Sequence, residues 1–143
     1  MDDREDAEGR LRDALAGTAF YGWLGIRLDH AEPGLVVVSL EAEAHHLNVQ
    51  GLLHGGIIAT LADSASGLAI RSQLEPGRRH VTIQLNVHYL APAKAGRVTA
   101  TGRAIRVGTQ IGYGEAEVVD AHGKVIARAQ STLAVTAQRP PDQ

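Results

Sequence analysis

The chain contains no cysteine, one methionine and few aromatic residues: one Trp, one Phe and three Tyr among 143 residues. Without cysteine there is no disulfide framework, no zinc–thiolate centre and no thiol nucleophile. A reducing compartment suits such a chain, and a cytoplasmic location is expected. With so few rings, the core must rest on Val, Ile, Leu and Ala. Excess positive charge is also missing. The balance is 14 Lys and Arg against 16 Asp and Glu, net −2, which gives no electrostatic footing for a nucleic acid partner. The opening residues, Met-Asp-Asp-Arg-Glu-Asp, are acidic and lack the apolar run of a secretory leader, so none is expected. The longest run of low charge is broken by Asp63 and by Ser and Thr residues, so no membrane span is expected. No Gly-x-Gly-x-x-Gly or phosphate-loop motif is present. Ser64 and Ser66 sit in a helical pattern, not on a Gly-x-Ser-x-Gly elbow.

Residues 46–70 organise what remains. From Leu53 onward there is no proline, and Ile57, Leu61, Ala65 and Leu68 recur at the spacing of one helical face. The opposite face carries Ala59, Ala62, Ser66 and Ala69, all small. A helix that is apolar or small all round is buried on most sides. Between Gly55 and Ile70 the only charged residue is Asp63, and its neighbours three and four positions away include no cation. An unpaired carboxylate on a buried helix is costly. It meets a distant arginine, sits at a wet interface, or performs chemistry. At the helix start, His54-Gly55-Gly56 presents first-turn amides that have no partner inside the helix. Such amides favour negative charge, and a developing oxyanion is one such charge. Gly55 and Asp63 are eight residues apart, which is about 12 Å of helical rise. One reaction centre cannot easily touch both within one chain. A two-fold dimer with antiparallel helices would bring Gly55 of one chain to Asp63 of the other.

The flanking chain reads as a short-connection sheet protein. Residues 3–16 carry Leu11, Ala14 and Leu15 on one stripe, predicting a surface helix or arm. Residues 18–25, with Phe20, Tyr21, Trp23 and Leu24, predict a short turn of helix packed by its aromatics. Strands are expected over 26–31 and 35–42, joined at Glu32-Pro33-Gly34. His45 and His46 invite a metal, but no carboxylate or Cys stands beside them at ligand spacing, and no metal is expected. After a turn at 75–79, residues 81–90 alternate, with Val81, Ile83, Leu85, Val87 and Tyr89 on the apolar face. Further strands are expected over 96–107, 109–119 and a final stretch whose inner row is Val125, Ala127, Ala129, Ser131, Leu133 and Val135. Gly112 and Gly114 mark close approach of another backbone. Asp120 to Gly123 is a hairpin turn. Residues 138–143, with two prolines, are expected as a loose tail. The fold class is α+β, one long helix covered by a curved antiparallel sheet.

The pattern Asn48-x-x-Gly51-x-x-His54-Gly55-Gly56-x-x-x-x-Leu61-Ala62-Asp63-x-Ala65 resembles the signature of hotdog-fold acyl-CoA thioesterases of the phenylacetate-degradation (PaaI) type. The likeness continues through Val81 to Asn86 and Tyr89 to Gly96, and spans about residues 20–137. It implies an N-terminal arm over 1–17, a hotdog domain over 18–137 and the tail beyond. It implies Asp63 as general base or as nucleophile, and the two routes stay open because both need an ionised carboxylate beside the carbonyl carbon. It implies that the Gly55 amide polarises the thioester carbonyl, that Asn48 and His54 orient the reacting groups, and that Thr82 helps hold the water. Thr82 equally suits a strand on propensity alone. For coenzyme A it points to Tyr89, Leu90, Pro92, Lys94, Arg106, Gly108 and Thr109, with Lys94 and Arg106 as phosphate partners. The coenzyme is part of the substrate, and no other cofactor is implied. A homodimer with shared sites, paired into a tetramer, is the implied assembly. A hydratase or dehydratase of the same fold and a non-catalytic acyl-CoA-binding module are the alternatives.

Overall fold

The structure is a computed structural model and describes residues 2–137. The tail expected over 138–143 lies outside the described residues. Helix α1 spans Asp3–Ala16 and α2 spans Ala19–Leu24. Strands β1 (Arg27–Glu32) and β2 (Leu35–Ala42) form a hairpin that turns through Pro33 and Gly34, where φ is +82°. A short 3-10 turn (Ala44–His46) leads to the long helix α3, Gly55–Arg71. Strands β3 (Arg78–Tyr89), β4 (Gly96–Val107), β5 (Ile111–Val119) and β6 (Val125–Ala137) follow.

The six strands form one sheet in the order β1-β2-β4-β5-β6-β3, and every neighbouring pair is antiparallel. β1 and β3 are its edges. α3 packs against β2, β3, β4, β5 and β6, so its apolar residues and the inner rows of the strands form the core, a main cluster and a smaller one of Ile70, Leu74, Leu133 and Val135 at the C-terminal end of the helix. Leu61, Ala62, Ala65, Ala69 and Ile70 of the helix are fully buried there, as are Val36, Val38, Val98, Ala100, Val118, Ala127 and Leu133. Each large aliphatic side chain taken out of water contributes on the order of 1.5–3 kcal/mol. The helix runs as predicted, except that it begins at Gly55 and not at Leu53. Leu53 is held outside it by a bridge to Leu47.

Small residues let α3 approach the sheet closely. A Cβ at Gly112 would lie 3.1 Å from the Ile70 side chain, and one at Gly114 would lie 3.2 Å from Ser66 Cβ, so the helix meets these two glycines through side chains and not through the backbone approach expected. The tightest contact is elsewhere. A Cβ at Gly102 would overlap the Ala65 carbonyl and the Ser66 amide, so β4 and α3 meet backbone on backbone. Beside this contact, the Ser131 hydroxyl donates to Ser66 Oγ at 2.9 Å, and Ser66 donates to the Ala62 carbonyl. Both hydroxyls are buried and satisfied within the core.

Three expectations are corrected. The alternation of 81–90 changes face at a bulge between Thr82 and Gln84. Before it His80 and Thr82 turn toward the helix; after it Leu85 and Val87 do. Val81 and Ile83 therefore point outward, 59% and 60% exposed on an edge strand. Second, α2 does not bury its aromatics: Tyr21 and Leu24 touch the core, but Phe20 is exposed and Trp23 is 79% exposed. Third, along β2 Val36, Val38 and Leu40 alternate with Val37, Ser39 and Glu41, which places Ser39 on the face opposite the aliphatic row, yet Ser39 is fully buried and its hydroxyl has no hydrogen-bond partner among the described residues. In the N-terminal segment, Ala7, Leu11 and Leu15 are the buried positions of α1, which lies against β1.

Candidate active site

Asp63 projects from the middle of α3 and is half-buried. The Thr82 hydroxyl, arriving from β3 just before the bulge, donates to Asp63 Oδ1 at 2.8 Å. Among the described residues no Lys, Arg or His lies within ion-pair distance of the carboxylate. One oxygen is oriented by a hydroxyl, and the other makes no hydrogen bond with the described residues. A carboxylate held in this way can accept a proton or attack a carbon.

Around it opens a cleft of about 380 Å³, lined by Asp63, Gly67 and Arg71 on one face of α3, by His80 and Thr82 of β3, and by residues of α1 and α2 including Tyr21. A larger hollow of about 590 Å³ lies on the outer face of the sheet, among Thr101, Arg103, Glu115, Glu117 and Arg128. It is remote from Asp63, and its Glu117–Arg128 ion pair is exposed. His80 and Arg71 were not singled out by sequence. The available signal was position: Arg71 is eight residues beyond Asp63 on the same helical face, and His80 is two residues before Thr82 on the same strand face. Burial holds the His80 imidazole below the ordinary histidine range, the charge of Arg71 adds to this, and Asp63 opposes it.

The other end of α3 is built by the 47–54 loop. Asn48 Oδ1 accepts the amides of Gln50 and Leu52 at 2.9 and 3.2 Å, closing the loop, and Gly51 turns it at φ +75°. His54 is the N-cap: its Nδ1 accepts the Gly56 amide at 2.8 Å. Asn48 Oδ1 and His54 Nδ1 are thus occupied in shaping the helix entrance. The Gly55 N–H has no acceptor among the described residues, and the Tyr89 hydroxyl donates to the Gly55 carbonyl at 2.7 Å. The helix start therefore offers one unspent amide in a fixed direction. His46 is buried between the Glu43 amide, which donates to its Nδ1, and the Leu24 carbonyl, which accepts from its Nε2. Both ring nitrogens serve local structure. Among the described residues no group of three or more His, Asp or Glu side chains is arranged as a metal site.

The structure brings Asp63 and Thr82 together and keeps Gly55 apart from them along the helix. It also separates the two segments expected at coenzyme A. Tyr89, Leu90, Pro92 and Lys94 lie by the start of α3, where the Ala93 carbonyl accepts the Leu53 amide. Arg106, Gly108 and Thr109 lie at the β4–β5 turn, where Thr109 accepts a hydrogen bond from Arg78 at the beginning of β3. The two segments sit at opposite ends of β3 within one chain. Leu90 and Tyr89 are exposed, and Arg106 and Lys94 reach solvent.

Residues 50–127 match the family model described as the thioesterase superfamily. The chain is 34% identical to human acyl-coenzyme A thioesterase 13 over 109 residues, covering 75% of this chain and 77% of the relative. It is 32% identical to a 1,4-dihydroxy-2-naphthoyl-CoA hydrolase from Listeria monocytogenes, covering 81% and 94%. Among solved structures, the PaaI protein of the Escherichia coli phenylacetic acid degradation operon superposes with a TM-score of 0.89 at 27% identity, covering 96% of this chain and 98% of that one. Carried by more than half of its length, the chain belongs to the thioesterase superfamily and is a hotdog-fold enzyme of the thioester-hydrolase class.

Proposed function

We propose that this protein hydrolyses the thioester of a small or medium acyl-CoA, releasing the free acid and coenzyme A. The observation that carries the reading is the Asp63 carboxylate, oriented by Thr82 in an open cleft, on the same helix as an unspent Gly55 amide. In the general-base route, Asp63 takes a proton from water as the water oxygen bonds to the thioester carbon. The carbonyl oxygen gains negative charge on the Gly55 amide. Collapse breaks the carbon–sulfur bond, and the proton passes from Asp63 to the leaving thiolate. In the nucleophilic route, an Asp63 oxygen bonds to the carbon, the thiolate leaves, and water then cleaves the resulting anhydride. Both routes use the same geometry.

Each site is completed by a second chain. Eight helical residues, about 12 Å of rise, separate Gly55 from Asp63, and an antiparallel two-fold partner supplies the missing amide. The same two-fold would join residues 89–94 of one chain to residues 106–110 of the other, forming one coenzyme site from segments that lie apart in each chain. The outward Val81 and Ile83 of edge strand β3, and the fully exposed Val49 of the 47–54 loop, support a covering partner. A tetramer is the further assembly proposed. An aryl acyl group is a candidate because the Listeria relative is named for one.

The test is a panel of acyl-CoAs incubated with purified protein and a thiol reagent. Release of free coenzyme A with turnover supports the proposal. Tight binding without thiol release would favour an acyl-CoA-binding module, and addition of water to an enoyl-CoA would favour a hydratase.

A further inference from the structure

The cleft beside Asp63 is polar at its far end in a way that thioester hydrolysis does not require. From Asp63 its wall follows one helical face, Asp63, Gly67 and Arg71, at steps of four residues. Gly67 is the floor. It has no side chain, and the His80 ring lies over it: a Cβ at Gly67 would sit 3.6 Å from His80 Cε1. Beyond it stands Arg71, about 12 Å of helix from Asp63. Its guanidinium reaches solvent and forms no ion pair and donates no side-chain hydrogen bond among the described residues, a state it shares with Arg4, Arg27, Arg79, Arg103 and Arg106, but of these it alone lines the cleft beside Asp63. His80 likewise has no hydrogen-bond partner among the described residues. The remaining wall is mixed, with Ala14, Leu15, Leu68 and the Tyr21 ring beside the hydroxyl-bearing Thr18 and Ser64.

We infer that the acyl group this cleft accepts is short and ends in a carboxylate, which Arg71 grips and His80 contacts through a ring N–H. The inference rests on the thioesterase reading and specifies its substrate class. With the thioester carbon beside Asp63, an extended four- to six-carbon acyl chain carries its terminal carboxyl roughly 4–6 Å along the cleft, and the long Arg71 side chain, leaning toward the helix N-terminus as helical side chains do, covers the rest of the roughly 12 Å of rise. A guanidinium meets a carboxylate with two parallel hydrogen bonds. Burial keeps the His80 imidazole neutral near pH 7, so it offers one N–H donor without adding a second charge.

The experiment pairs acyl groups that differ only at the tip. Binding of two non-hydrolysable thioether analogues of coenzyme A, one of glutaryl and one of valeryl type, is measured by calorimetry alongside hydrolysis of glutaryl-CoA and valeryl-CoA. Wild type is expected to bind the carboxylate-tipped analogue roughly tenfold or more tightly than the neutral one. Arg71→Gln should collapse that ratio toward one, and His80→Leu should reduce it partly. Arg71→Lys, which keeps the charge but loses the fork, should retain an intermediate ratio and controls for folding. A wild-type ratio near one overturns the inference. So does an equal loss of both analogues in Arg71→Gln, which would put Arg71 at the coenzyme or in the fold. Loss of hydrolysis of both thioesters with the binding ratio intact would overturn the thioesterase reading alone.

Discussion

Thr82 and Asp63 meet side chain to side chain, hydroxyl to carboxylate, at 2.8 Å, across the seam between edge strand β3 and the middle of α3. The contact exists because the bulge at Ile83 comes one residue later: with Thr82 still on the inner row, its hydroxyl faces the helix. Asp63→Asn should preserve the fold and lower kcat by about 10²–10⁴, since the amide cannot take a proton. Thr82→Val should leave Asp63 present but free to rotate, with a loss of roughly tenfold in kcat, the scale of one hydrogen bond to a charged group. Steady-state kinetics on the best acyl-CoA from the panel checks both. A Thr82→Val enzyme more impaired than Asp63→Asn would mean that the hydroxyl, not the carboxylate, does the chemistry.

Shared sites can be tested by mixing two inactive proteins. Asp63→Asn removes the carboxylate, and Gly55→Val places a side chain against the Tyr89 ring, which already lies 3.4 Å from an added Cβ. A heterodimer of the two restores one intact site and concentrates both defects in the other. Random pairing makes about half the dimers mixed, so activity should recover toward roughly a quarter of wild type. Mass spectrometry verifies subunit exchange. Exchange without recovery would place each site within one chain.

Gly102→Ala tests the seat of the helix. The added methyl has nowhere to go, because the Ala65 carbonyl and the Ser66 amide occupy its position. Overpacking of this kind costs about 1–3 kcal/mol, and contact with backbone leaves little room to relax. A Tm several degrees below wild type is expected, whereas Gly9→Ala, with open space around it, should not lower Tm. Equal Tm values for Gly102→Ala and wild type would contradict the packing described above.

His80 makes stability depend on pH. Its folded-state pKa is lowered, mainly by burial and next by Arg71, so protons bind more readily to the unfolded chain. The His80 contribution is then fully present above the ordinary histidine pKa of about 6.5 and is lost as pH falls from there toward the lowered folded value. Denaturant unfolding at pH 7.5 and 5.5 should show a fall in stability that His80→Gln reduces. An identical fall in the variant would assign the dependence to other groups.

Much of this molecule is legible in the chain itself, for identifiable reasons. The small-residue periodicity of α3, the solitary Asp63 and the Gly-Gly start are local signals, and local signals survive without knowledge of the fold. Gly112 and Gly114 stand out because two glycines alternate within one strand. Gly102 does not, since a single glycine among Thr, Ala and Arg reads as a weak strand position. The bulge at Ile83 leaves no trace in the unbroken alternation from Val81 to Tyr89. Only pairing with β6, Thr82 to Leu133 and Gln84 to Thr132, shows where the rows exchange faces. His80 was hidden for a related reason: the strand begins at Arg78, three residues before the alternation does. The outward faces of Phe20 and Trp23 follow from the placement of α2, which no local pattern encodes.

The seating of Ala65 on Gly102 makes α3 a rod pinned near its middle. Asp63 stands two residues from the pin and Gly55 ten, so the same small tilt displaces the amide far more than the carboxylate. Alignment at the entrance is the more easily disturbed of the two, and the N-cap of His54 and the hydrogen bond from Tyr89 steady the free end of the lever.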